Sequence, residues 1–170
     1  MMIGVAMSKS LVHTVPPVFN ENSKILILGS FPSIKSREGE FFYHHPQNRF
    51  WRVISAICDE KLPETIDDKK QLLIRNQIAL WDVVHSCQVI GSADSSIKNV
   101  IPNDITPVIE HADIQRIYAN GATAFRLYKR YIYKDNRREI ILLPSTSPAN
   151  ASFSLEKLID IWSVIRPMMD

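Results

Sequence analysis

Lys24 to Leu28 is the stretch that most limits how this chain can fold. After the lysine come four aliphatic residues in a row, Ile25, Leu26, Ile27 and Leu28, fenced by Asn22 and Gly29. Successive side chains of a strand point to opposite faces, so an unbroken apolar run needs cover on both. That is the pattern of a central parallel strand between two layers of helix. The run ends in Gly29-Ser30-Phe31-Pro32-Ser33, and a long loop with Tyr43, His44, His45, Pro46 and Asn48 follows. Ligands of open α/β sheets bind outside the carboxyl ends of the strands, which is where this loop belongs.

The rest of the chain repeats the unit. Residues 1–23, with Pro16-Pro17 and little periodicity, read as an irregular arm with room for a short strand. Strands are expected over 24–29, 78–84, 114–119 and 139–143, and helices over 48–58, 66–76, 104–112, 122–132 and 155–166. Asp67 and Asp68 suit the start of the second helix, Asn103 or Asp104 caps the third, and Ser154 caps the last, which carries Leu158, Ile161, Trp162 and Ile165 inward. Residues 85–99 read as a polar loop and 136–138 as an exposed turn. Four alternations of strand and helix imply a three-layer α/β/α single domain over 1–170 with a four-stranded parallel sheet.

Composition narrows the class. A 45% hydrophobic content fits a globular domain, and no apolar run reaches the ~18 residues of a membrane span. The first residues lack the basic leader and long apolar core of a signal peptide. Cys58 and Cys87 stand in no ligand spacing and read as reduced, inert thiols of a cytoplasmic protein. A net charge of +2 neither requires nor excludes nucleic acid. Basic pairs such as Lys35 and Arg37, or Arg49 and Arg52, would matter for phosphates only near the strand ends.

Three strand ends, at 29–33, 81–85 and 143–148, should meet in one cleft. It would hold Ser30, Ser33, Ser36, Tyr43, His44, His45, Asn48, Asp82, Ser145, Thr146 and Ser147. There is no G-x-G-x-x-G after the first strand and no P-loop lysine, and Gly29 to Ser33 lacks the spacing of a nucleophile elbow. Adjacent His44 and His45 have no Cys or carboxylate at ligand spacing, so no metal and no cofactor are expected. What is left is a neutral pocket with an aromatic ring, an amide and hydroxyls. Such a pocket suits a flat heterocycle held by stacking and edge hydrogen bonds.

Three segments carry a family resemblance: GSFPS followed by HHPQNRFW, IALWDVVHSCQVIGSAD at 78–94, and LPSTSPANA at 143–151. In this order they resemble the motifs of the uracil-DNA glycosylase superfamily, and most closely its family 6, the hypoxanthine-DNA (deoxyinosine) glycosylases. The resemblance implies a repair enzyme that hydrolyses the N-glycosidic bond of deaminated bases in DNA, hypoxanthine first, after flipping the base from the duplex. A uracil or mismatch glycosylase is the alternative within that class, and a non-catalytic damaged-DNA binder the alternative outside it. The implied partner is DNA containing a deaminated base, met by a monomer with no membrane.

The resemblance also implies roles. Related mismatch-specific uracil glycosylases carry a water-positioning Asn in the turn after the first strand. Phe31 stands there in this chain, so the role passes to Asn48, whose amide carbonyl would orient the attacking water. Asn48 equally fits a helix N-cap. Tyr43 would stack on the flipped base or be a loop tyrosine, and Phe31 would touch the base or pack in the core. Gly29, Ser30, His45 and Ser145 complete the base-binding set. Ser33, Ser147, Pro148, Ala149 and Asn150 would meet the DNA, although a plain turn before a helix reads the same way. Phe50 and Trp51 read as core. His85 and Asp94 fit structural roles as well as functional ones. No lysine is placed for attack on C1′, so the enzyme would be monofunctional, without lyase chemistry.

Overall fold

The strand Ile25–Gly29 (β2) is buried along its whole length, and the other layers are built around it. The protein is described by a computed structural model covering residues 9–89 and 97–168. β2 pairs in parallel with β3 (Ile78–Asp82) on one side and β6 (Arg116–Asn120) on the other, and β6 pairs in parallel with β7 (Ile140–Leu143). The order β3-β2-β6-β7 is the expected four-stranded parallel sheet.

Alternation along the strands sorts the core into two layers. Ile25, Ile27, Ile78, Leu80 and Tyr118 face α2 (Phe50–Ile57), α3 (Ile66–Arg75) and α7 (Leu155–Trp162). Leu26, Leu28, Ala79, Ile117 and Ala119 face α4 (Thr106–His111) and α5 (Ala122–Tyr131). Capping chemistry sets the helix starts. Thr65 and Asp68 exchange hydrogen bonds as a capping box and Ser154 accepts the Lys157 amide, whereas the cap expected of Asn103 or Asp104 is not made: the N-cap of α4 is Ile105, without a side-chain cap, and Asp104 accepts the Thr106 amide from the residue before it. Among the described residues no helix is long and apolar enough to cross a membrane.

Several local expectations need correction. The second strand ends at Asp82 rather than at residue 84, and the chain turns into a separate antiparallel sheet of β1 (Lys9–Val12), β4 (Val84–Val89) and β5 (Lys98–Pro102). The supposed loop at 85–99 therefore holds two strands, and Gly91 to Ser96, with Asp94, lies outside the described residues. Register shifts between Val84, Ser86 and Gln88 break the alternation that would have announced β4. The long loop after β2 contains α1 (Ile34–Gly39), started by the Ser33 hydroxyl accepting from the Ser36 amide. Residues 133–136 form a short helix, α6 (Tyr133–Asn136), just before the expected turn. The last helix changes to 3-10 geometry over Ser163–Met168. Leu158, Trp162 and Ile165 are fully buried as expected, whereas Ile161 is 38% exposed.

The arm is anchored. Val18 bridges Leu80 on the free side of β3, the Trp81 indole donates to the Val15 carbonyl at 3.1 Å, and the His13 amide donates to the His85 carbonyl. The arm thus covers one edge of the parallel sheet. It also brings His13 to the carboxyl end of β3.

Candidate active site

Every strand of the parallel sheet delivers a residue to one cavity at its carboxyl edge. The cavity measures about 410 Å³, within the range of small-molecule sites. Gly29 to Ser33 line it after β2, Asp82 after β3, Asn120 after β6, and Ser145 to Ser147 with Ala149 after β7. Tyr43 and Asn48 enter from the motif loop, and Ser36 and Arg37 from α1.

Asn48 sits at the start of α2, and its hydrogen bonds fix which way its amide points. The Phe50 amide donates to Oδ1 at 2.9 Å, and the Thr146 hydroxyl donates to the same atom at 2.9 Å. Asn120 confirms the orientation. Its Oδ1 accepts the Thr146 amide at 3.0 Å, so its Nδ2 must be the group donating to Thr146 Oγ1, also at 3.0 Å. That leaves the Thr146 proton free for Asn48. Both lone pairs of the Asn48 carbonyl are therefore used, and the NH2 group is what remains for the cavity. The carbonyl expected to face a water is thus turned to Phe50 and Thr146. The N-cap of α2 is Arg49 rather than Asn48, but Asn48, one residue earlier, still satisfies the orphan Phe50 amide of the first turn.

Tyr43 has a left-handed backbone, φ 52°, and its ring stacks on Phe50 at 4.2 Å between centroids. Phe50 is fully buried, so the Tyr43 ring rests on the core. Gly29 makes room for this corner. A Cβ there would overlap Oδ1 of Asp82 and lie 2.8 Å from the Tyr43 hydroxyl. Phe31 lines the cavity and also packs on the α4–α5 side of the core, so it holds both expected positions.

No local pattern in the sequence announces the Asp82 partner. His13 Nε2 lies 2.7 Å from Asp82 Oδ2, and the two side chains are only 1% and 5% exposed. With the carboxylate as acceptor, the ring nitrogen donates. Phe31, Phe42 and Trp81 surround the imidazole with ring centroids 5.9, 6.1 and 6.3 Å away. Asn103 braces the same corner by donating to the Asp82 and Val84 carbonyls. Asp82 is the sole carboxylate and Arg37 the sole cation among the described residues of the lining.

The loop after β7 is held from behind. Arg49 donates to the Ser147 carbonyl at 2.8 Å, to that of Asn150 at 3.1 Å, and to that of Phe153. This occupies its guanidinium, so Arg49 is a clamp and not the phosphate contact that its charge suggested. Asn150 turns inward and donates to the Ser145 carbonyl, while Pro148 and Ala149 are exposed at the rim. Ser147 accepts the Ala149 amide, and Ser145 accepts the Ser147 amide. His45 is the expectation the structure does not meet. Like His44, it lies outside the lining, and its Nδ1 accepts the Gln47 amide at 3.0 Å, which makes it a turn former. His85 is exposed on β4. Among the described residues no three His, Cys, Asp or Glu side chains gather as a metal site. Asn120 and Arg37 were missed as site residues. The first follows from the strand-end rule applied to β6, and the second needed α1 to be seen.

Comparison with known proteins finds relatives of the whole chain. The model of the uracil DNA glycosylase superfamily matches residues 16–166. A protein of Methanosarcina acetivorans named hypoxanthine DNA glycosylase is 34% identical over 152 residues, which cover 89% of this chain and 96% of that one. One of the same name from Methanosarcina barkeri is 41% identical over 108 residues, 62% of this chain and 68% of that one. A solution NMR structure described as that of a putative uracil DNA glycosylase from Methanosarcina acetivorans superposes with a TM-score of 0.79 at 32% identity, covering 93% of this chain and 98% of that one.

Proposed function

The chain belongs to the uracil DNA glycosylase superfamily and, within it, to the hypoxanthine DNA glycosylases, and we propose that its cavity hydrolyses the N-glycosidic bond of deaminated bases in DNA, hypoxanthine before the others. The observation that carries this reading is the Asn48–Thr146 hydrogen bond, which joins two of the motif loops in one cavity. The substrate is a duplex whose damaged nucleotide is turned out into the pocket, met by one copy of the chain in the reducing cytoplasm.

Deamination changes what a base offers. Adenine N1 carries a lone pair, and in hypoxanthine the same nitrogen carries a hydrogen. The change from cytosine to uracil is equivalent at N3. A fixed acceptor therefore accepts the deaminated base and repels its parent. Asp82 is suited to this, because His13 holds Oδ2 and leaves Oδ1 beside Gly29. Tyr43, backed by Phe50, gives the base a platform.

Asn48 acts at the sugar. Its N–H engages one lone pair of a water and leaves the other for C1′. No strong base is required, because bond cleavage runs ahead of water attack in an oxocarbenium-like transition state, and positioning does most of the work. No lysine lines the cavity among the described residues, in keeping with a monofunctional hydrolase. Ser147, Pro148 and Ala149 at the rim approach the backbone of the extruded nucleotide, with Ser33 on the facing turn.

The test is single-turnover cleavage of labelled duplexes carrying hypoxanthine, uracil or xanthine, with adenine as control. Cleavage of hypoxanthine above the rest is expected. A protein that binds these duplexes and cleaves none of them would be a binding module instead.

A further inference from the structure

Arg37 has no part in the reading given so far, yet its side chain is placed to take one. It lies on α1 with the guanidinium carbon 5.7 Å from the centroid of the Phe31 ring, and both residues line the cavity. Its Nε is buried and has no hydrogen-bond partner. Buried donors in folded proteins are almost always satisfied, so an unpartnered one on a side chain that lines the cavity points to an acceptor that arrives from outside. Asp82, whose Oδ2 is held by His13, forms no ion pair with Arg37 among the described residues. The cavity thus keeps its one cation and its one carboxylate apart.

We propose that Arg37 is the electrophile for the leaving base: its guanidinium binds the negative charge that collects on the base as the glycosidic bond breaks. This rests on the glycosylase reading above. The C1′–N9 bond of a purine nucleotide opens with both electrons going to the base. A water oxygen then bonds to C1′ and gives one proton to solvent, and the departed base takes one proton up, so that only water is consumed. The other polar groups of the lining are neutral, apart from Asp82, whose charge opposes departure of an anion. A guanidinium answers that need, because its charge is permanent and its planar N–H array fits the edge of a heterocycle. A phosphate would instead be met at the exposed rim, where Pro148 and Ala149 lie.

The experiment compares the parent with Arg37→Gln, Arg37→Lys and Arg37→Met in single-turnover cleavage of hypoxanthine duplex at saturating protein, beside duplex affinity and thermal melting. Arg37→Gln is expected to slow cleavage about 100-fold, as removal of one transition-state donor does elsewhere, with affinity within about threefold of the parent. Arg37→Lys should recover part of the loss. A duplex with a fluorine at C2 of the hypoxanthine, which leaves more readily, should show a smaller Arg37→Gln deficit than plain hypoxanthine. Weakened duplex binding with an unchanged saturated rate would make Arg37 a phosphate contact and overturn the proposal. An equal deficit on both leaving groups, or unfolding of all three variants, would make its role structural and overturn it too. If the parent itself cleaves no deaminated base, the glycosylase reading falls first. If the parent cleaves and Arg37→Gln matches it, the Arg37 assignment alone falls.

Discussion

The side-chain carbonyl of Asn48 accepts the Thr146 hydroxyl at 2.9 Å, a contact spanning 98 positions of the chain. Thr146 is fully buried and is also the hydroxyl to which Asn120 donates. Thr146→Val keeps the shape and removes the link. It should cost about 1–3 kcal/mol of stability, because the Asn120 amide loses its acceptor. Cleavage should fall roughly tenfold, since about 1.4 kcal/mol of orientation at Asn48 is lost. Denaturant unfolding and single-turnover rates measure the two effects. A stable variant with parental rate would show that Asn48 is held by Phe50 alone.

Gly29 is a packing requirement of the site. Its Cβ would overlap Asp82 Oδ1 and crowd the Tyr43 hydroxyl. Gly29→Ala should destabilise the fold by about 1–3 kcal/mol through overpacking and lower cleavage much more than duplex affinity. Equal activity in the alanine variant would mean that Asp82 and Tyr43 move aside freely.

Arg49 separates charge from function. Its guanidinium is spent on carbonyls of residues 147–153. Arg49→Ala should cost about 2 kcal/mol and slow cleavage by loosening the loop. It should leave the salt dependence of duplex binding unchanged, whereas loss of a phosphate contact lowers the slope by about one. Affinity titrations from low to physiological salt distinguish the two.

The parallel sheet was legible because Ile25–Leu28 and Ile140–Leu143 are apolar runs long enough to outweigh local alternatives. The site was legible where strand ends meet turn residues, as at Gly29 and Ser145. It was not legible where tertiary contacts decide. His13 reaches Asp82 because Val18 docks on β3, and nothing near residue 13 announces that. β4 and β5 are half-polar and irregular in register, so their periodicity is masked. Asn48 was found as a residue, but the direction of its amide depends on Asn120 and Thr146, which lie far away in sequence.

Cys58 offers a pH test. Burial first, and then the Glu60 charge, push its thiol up to about 11, against the opposing charges of Arg166 and Arg75. The folded protein therefore favours the neutral thiol. Its contribution to stability is complete below the unfolded thiol value, about 8.5, and is lost as pH rises through about 11. A disulfide reagent at pH 8 should label Cys58 slowly in the native state and quickly in denaturant. Rapid native labelling would place the thiolate in solvent.

Asn48 decides between two chemistries. Its Oδ1 already holds the Phe50 amide and the Thr146 hydroxyl, so the NH2 group is assigned to the water. Asn48→Ala should cost about 1 kcal/mol for the lost helix-start contact and slow cleavage by about 100- to 1000-fold. Asn48→Ser can still accept the Phe50 amide but falls short of Thr146, so it should be stable and nearly as slow as alanine. Asn48→Asp is the discriminating variant. A carboxylate still accepts from Phe50 and Thr146, so the fold and both contacts survive, but no N–H remains. If the N–H positions the water, the aspartate variant should be as stable as the parent and close to alanine in rate. If a side-chain oxygen held the water, aspartate would match or exceed the parent. Single-turnover rates beside melting temperatures read this directly. A fast aspartate variant would return the water to an oxygen acceptor, and a fast serine variant would remove Asn48 from the chemistry and pass the test to Asp82.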